Sequence, residues 1–167
     1  MGKKEHLKQA PDTINICIVT VSTTRNVDTD KSGQWIKKQC EKEGHKIADY
    51  RIVTDERHAI TKLLSSLIRT HGPDIIIVNG GTGISPTDVT IEAVKPLLAK
   101  ELTAFAGIFA KLSFEQIDSA AILSRAMAGV IHQTVIFCLP GSLNACKLAC
   151  IEMIFPEIKH IVAHLQN

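Results

Sequence analysis

Aromatic residues are scarce in this 167-residue chain: one Trp, one Tyr and five Phe. Hydrophobic content is nevertheless 45%, so the core has to be built from Ile, Leu, Val and Ala, which favours helices layered on a sheet. Neither charge is in excess. Lys+Arg number 19 against 17 Asp+Glu, a formal +2, too balanced for a nucleic-acid coat or a membrane-binding face. No apolar run approaches the ~20 residues that span a bilayer. The start, Met1-Gly2-Lys3-Lys4-Glu5-His6, has no apolar stretch behind its lysines and does not read as a secretory signal. The cytoplasm is the expected compartment. No two of the five cysteines form a C-x-x-C pair. Cys17 and Cys138 lie in apolar runs and read as small core hydrophobes of a reducing compartment. Cys146 and Cys150 share i, i+4 spacing with no His or Cys cluster to complete a zinc site, so packing is the better reading. His160 and His164 repeat that spacing, and a surface face of the last helix explains them.

Repeats, low-complexity tracts and linkers are also missing. Residues 1–12 read as a flexible, solvated arm and 13–167 as a single domain, a size able to bury a substantial core. Residues 14–21 and 45–53 have strand composition. A polar loop over 26–33 leads to a helix from about 34 to 43, with Gly44 as its stop. Thr54-Asp55-Glu56 opens a helix whose Ile60, Leu63, Leu64, Leu67 and Ile68 fall at helical spacing. His71-Gly72-Pro73 ends it. Residues 90–98 read as a helix limited by Pro96, 102–112 as ambiguous, 119–125 as helical and 127–131 as a short strand. A buried strand over 134–139 breaks at Pro140-Gly141-Ser142, and helices over 143–155 and 157–164 are expected to be interrupted by Pro156. Trp35 is expected in the core.

The most informative stretch is Ile75-Ile76-Ile77-Val78-Asn79-Gly80-Gly81-Thr82-Gly83, followed a few residues on by Asp88. An all-apolar run of this length reads as a strand buried on both faces, as in a parallel sheet. Glycines let the next residues turn sharply and present bare N–H groups, which is how backbone cradles phosphate. An acid just beyond such a loop can hold a divalent cation on the same phosphates. The loop is neither G-x-G-x-x-G nor a P-loop. The bland alternative is a glycine turn with Asp88 or Thr90 capping the next helix. Strands alternating with helices imply a mostly parallel sheet covered on both faces, with ligands beyond the carboxyl ends of the strands. Four polar stretches fall at such ends: Ser22-Thr23-Thr24-Arg25, Thr54-Asp55-Glu56, Asn79 through Gly83, and Pro140-Gly141-Ser142.

Read in order, several segments resemble the molybdenum-cofactor biosynthesis family of MogA and MoaB, which includes the pterin-adenylating domains of gephyrin and its plant counterpart. They are Thr20-Val21-Ser22, Asp30-Lys31-Ser32-Gly33, Arg51-Ile52-Val53-Thr54-Asp55 and Gly80-Gly81-Thr82-Gly83. Asp88-Val89-Thr90-Ile91-Glu92-Ala93, Leu123-Ser124-Arg125-Ala126-Met127-Ala128-Gly129 and Leu139-Pro140-Gly141-Ser142 continue the series. The Thr-Ile-Glu-Ala form leans towards MoaB. The resemblance implies a three-layer α/β/α sandwich, a homotrimer, and binding of molybdopterin. In active members it implies transfer of AMP from Mg-ATP to the pterin's terminal phosphate, with the product passing to a metal-insertion protein of the pathway. It carries Asp88 and Asp55 over as the catalytic acids, both assigned to magnesium. Gly80, Gly81, Thr82 and Gly83 carry over to the nucleotide phosphates, in a substrate-binding stretch that starts at Asn79. Ser22, Ser124 and Ser142 carry over as hydrogen-bond donors to pterin or phosphate, although a lone serine after a Pro-Gly turn, as Ser142 is, is more often a helix cap. The chain departs from the pattern at Thr87 and Ala110, where Arg is usual. Two readings stay open: a molybdopterin adenylyltransferase of a molybdenum or tungsten pathway, or a non-catalytic pterin-binding scaffold trimer with a reduced site.

Overall fold

A computed structural model describes residues 11–166; the first ten residues of the expected arm lie outside the described residues. The elements run β1 (Asn15–Val21), α1 (Lys31–Lys42), β2 (Lys46–Val53), α2 (Arg57–His71), β3 (Ile75–Asn79), α3 (Thr90–Val94), β4 (Lys100–Glu101) and α4 (Thr103–Ile117). After a 3-10 turn at Asp118–Leu123 come β5 (Met127–Ile131), β6 (Thr134–Leu139), α5 (Leu143–Ala149), a π-helical turn (Cys150–Ile154) and α6 (Phe155–Gln166). Six strands form one sheet in the order β2-β1-β3-β6-β5-β4. The first four run parallel, and β5 runs against both β6 and β4. The expected three-layer, mostly parallel α/β/α architecture is what forms.

The pleat explains why these sequences are apolar throughout. Ile16 and Ile18 of β1, Ile75 and Ile77 of β3, and Val135 and Phe137 of β6 face one layer, against Ile36 and Cys40 of α1, Phe105 and Phe109 of α4, and Cys146 to Val162 of the last helices. Cys17, Val19, Ile76, Val78, Ile136 and Cys138 face the other, against Ile60, Leu64 and Leu67 of α2 and Val94 of α3. Ile75, Ile76, Ile77 and Val78 are all fully buried, each stabilising the fold by about 1.5–3 kcal/mol. Trp35 is half-buried against the first layer, with the Lys147 ammonium 5.9 Å from its ring centre. Among the described residues no helix is long and apolar enough to cross a membrane.

Several elements differ from the reading of the sequence, each for a local reason. Helix α1 begins three residues early because Asp30 caps it, its carboxylate accepting from Gly33 N at 3.0 Å. Residues 102–112, ambiguous in sequence, belong to α4, whose Phe105 packs on Phe137 with ring centres 5.2 Å apart. Expected helix 119–125 is instead a 3-10 turn ending at Leu123. Pro156 does not break the last helix. The preceding π turn lets Phe155 N–H reach Cys150 O, five residues back, and the helical run continues through the proline into α6.

Candidate active site

The chain leaves β1 towards β2 on one side and returns through β3 on the other. That makes the gap between β1 and β3 the switch point of the sheet, where open α/β folds place ligands. The loops after β1, β2, β3 and β6 converge there around a cavity of about 350 Å³. Its wall includes Ser22, Asp55, Gly80, Gly81, Thr82, Gly83, Asp88 and Ser124. Eight of the ten positions proposed from sequence are thus brought together from residues up to 102 apart in the chain.

Two of the glycines are required by geometry. Gly80 and Gly81 have φ of +96° and +63°, a region that side chains strain. A Cβ on Gly80 would also lie 2.3 Å from Val21 O. The same close packing locates the acids. A Cβ on Gly81 would lie 3.4 Å from Asp55 Oδ1, and one on Gly83 2.7 Å from Asp88 Oδ2, so both carboxylates lean on the glycine loop. Neither acid caps a helix. Glu56 holds the N-cap position of α2 and Val89 that of α3. Asp55 Oδ2 accepts from Thr23 Oγ1 at 2.8 Å and Asp88 Oδ2 accepts from Ser85 N at 2.8 Å, which leaves each Oδ1 for a ligand. Thr90, the other candidate cap, donates from its hydroxyl to Gly80 O at 2.8 Å and holds the loop from below.

Two proposed residues stand outside this wall. Asn79 is fully buried beneath the loop and donates to Thr20 Oγ1 at 2.8 Å, with its Oδ1 unpartnered. Ser142 accepts from Ala145 N at 3.2 Å as the N-cap of α5. Thr82 is on the cavity wall, and its Oγ1 is buried and without a hydrogen-bond partner, an unsatisfied group that calls for an explanation. Among the described residues no three or more His, Cys, Asp or Glu cluster for a metal. Two carboxylates beside an anion-capable loop nevertheless fit magnesium, which keeps several waters and takes further ligands from substrate phosphate.

Sequence reasoning left Arg25, Glu92 and Arg125 without roles, although all three lie within quoted motifs. Among the described residues, Arg25 is the one cationic side chain on the cavity wall. Its Nη1 donates to Gly141 O at 3.2 Å and stands 3.8 Å from Asp30 Oδ1. Asp30 is fully buried and also accepts from the hydroxyls of Thr20 and Tyr50. Burial and that carboxylate push the Tyr50 phenol well above its usual range. Arg125 lies outside the cavity wall and bonds the carbonyls of Thr82 and Gly83, each at 3.0 Å, together with the Glu92 carboxylate. The hydrogen bond from Arg125 holds Glu92 below the usual carboxylate range despite its desolvation. Thr87 and Ala110 are both exposed and neither is on the wall.

Fold and site define an α/β domain with a glycine loop and two carboxylates at the switch point of its sheet. A family model described as a probable molybdopterin binding domain matches residues 17–160. The chain belongs to that family, in its MoaB branch of molybdenum cofactor biosynthesis proteins. It is 46% identical over 168 residues to molybdenum cofactor biosynthesis protein B of Bacillus subtilis, covering 100% of this chain and 99% of that one. A crystal structure of a molybdenum cofactor biosynthesis protein B superposes with a TM-score of 0.91 at 43% identity, covering 95% of this chain and 99% of that one. The tungsten cofactor synthesizing protein MoaB from Pyrococcus furiosus superposes with a TM-score of 0.85 at 37% identity, covering 95% of this chain and 100% of that one.

Proposed function

We propose that the chain binds molybdopterin and adenylylates its terminal phosphate from Mg-ATP, in a molybdenum or tungsten pathway. The observation that carries this is the pair Asp55 and Asp88, drawn from different strand ends and packed against Gly81 and Gly83 of one loop. A pterin phosphate oxygen would attack the α-phosphorus of ATP, forming one P–O bond while the α–β bridge breaks and pyrophosphate leaves. The nucleophile is already an anion, so no side-chain base is required. Alignment and charge offset are what the protein has to supply.

The residues present fit those tasks. The loop N–H groups and the unpartnered Thr82 hydroxyl would hold phosphate oxygens, with Ser22 and Ser124 also on the cavity wall. Asp55 and Asp88 would hold magnesium, which supplies Lewis-acid stabilisation of the leaving group when bound. Arg25, fixed by Gly141 O and Asp30, adds a guanidinium fork suited to phosphate. It compensates in part for the arginines that the family pattern has at Thr87 and Ala110. Exposed apolar side chains on and after α4 support self-association as a homotrimer.

Incubating the purified chain with molybdopterin and Mg-ATP should yield adenylated pterin and one equivalent of pyrophosphate. Pterin binding with no adenylated product at saturating Mg-ATP would leave the non-catalytic scaffold reading, which Thr87 and Ala110 favour.

A further inference from the structure

The arginine behind the glycine loop makes a set of bonds that its sequence position does not announce. Arg125 Nε donates to both Thr82 O and Gly83 O at 3.0 Å, and Nη2 donates to Asp88 O at 3.3 Å. The rest of the guanidinium faces the Glu92 carboxylate, with Nη1 on Oε1 and Nη2 on Oε2. One planar group therefore ties both ends of the loop that begins at Thr82 and ends at Asp88, and anchors them to α3.

The peptide plane gives this clamp a consequence. No cis peptide bond occurs among the described residues, and in a trans peptide C=O and N–H point in opposite directions. Holding Thr82 O and Gly83 O against Arg125 turns the N–H groups of Gly83 and Ile84 away from it. Thr82 and Gly83 are on the cavity wall and Arg125 is not. The guanidinium thus collects the loop's acceptors on its far side, and an anion meets donors instead of carbonyl oxygens. The bond to Asp88 O fixes the backbone of the acid that the proposed function needs. Glu92 balances the charge and keeps the guanidinium from swinging into the cavity to bind the ligand itself.

We infer that Arg125 is a positioning residue that, braced by Glu92, sets the donor polarity of the 82–88 loop and the placement of Asp88 without touching the ligand. This rests on the phosphate-binding reading of the site. Lysine cannot imitate the device, because an ammonium is a point charge without the planar fork that reaches three carbonyls and a carboxylate together.

The test compares the parent, R125K and E92Q, with folding checked by circular dichroism and thermal melting. Affinity for inorganic pyrophosphate with magnesium is read by calorimetry, and adenylylation by single turnover. R125K should fold and lose about ten- to a hundredfold in pyrophosphate affinity, the range for losing a charge-assisted hydrogen bond. Its turnover at saturating Mg-ATP should fall further, because Asp88 also shifts. E92Q keeps one acceptor for the guanidinium and should lose less of both. If R125K does not fold, E92Q alone carries the test through its affinity and its kcat-against-KM split. Parent affinity with no adenylylation would sink the enzymatic reading and leave the clamp to be judged on affinity. A folded R125K with parental affinity and rate would overturn the clamp, as would a parent that binds no pyrophosphate.

Discussion

Asp88 holds its own loop and faces the cavity. Its Oδ2 accepts from Ser85 N at 2.8 Å and its carbonyl is held by Arg125, while its Oδ1 is the oxygen the proposed magnesium would use. Asp88→Asn separates the two roles, since an amide oxygen can still accept from Ser85 N but carries no charge. Adenylyl transfer should fall by about a hundredfold or more, on the scale of losing one preorganised electrostatic contact. Stability should change by less than about 1 kcal/mol. Rate and melting temperature measured on one preparation check both halves; parental turnover would remove the metal role. The glycines and Asp88 were legible because they sit close together in sequence just after an apolar strand. Arg25 and Arg125 were not, because their meaning depends on partners such as Gly141 and Thr82, 116 and 43 residues away.

The cysteines distribute over elements rather than forming a site. Cys17 is on β1, Cys40 on α1, Cys138 on β6, Cys146 on α5 and Cys150 in the π turn, and all five are free and buried. Burial raises the thiols of Cys40, Cys138 and Cys146 to about 12 and that of Cys17 to about 11. A raised thiol pKa means that the folded state holds protons which the unfolded chain releases near its ordinary value. This contribution to stability is complete below about pH 8.5 and is lost as pH rises towards the folded values. Melting temperature should therefore decline progressively above about pH 9. At pH 8 a thiol reagent should find almost no reactive sulfur in the native protein and five in denaturant. Two or more fast native thiols would contradict this packing. Element existence was readable from apolar runs ending at Gly or Pro. The π turn before Pro156 was not, since it depends on how Cys150 and Ile154 seat in the core.

At the scale of the molecule, several large apolar side chains are exposed among the described residues. Ile108, Phe114 and Ile117 on α4 are 50%, 57% and 51% exposed, and Ile122 in the turn after it is 85% exposed. Large exposed apolar side chains on one stretch are the feature on which the proposed self-association rests. A homotrimer is the expected assembly, with a mass by light scattering of about three times the 18.2 kDa chain. Phe114→Asp, a substitution outside the core, should shift that mass downward while leaving far-ultraviolet circular dichroism intact. A parent that stays at monomer mass over a wide concentration range would remove the assembly.

By itself, the sequence determined the layers, the buried strands and the composition of the loop. Burial demands apolar residues at fixed periods, and a turn at positive φ favours glycine, so both constraints are written locally. Tertiary structure alone decided that β2 and β3 flank β1, which opens the switch point where loops from four strand ends meet. It also decided that Asn79 lies buried beneath the loop and Ser142 caps α5, that Arg25 faces the cavity, and that Arg125 grips the loop from behind. Those assignments depend on which backbone carbonyls lie within reach of a long side chain, and only the packed sheet brings them there.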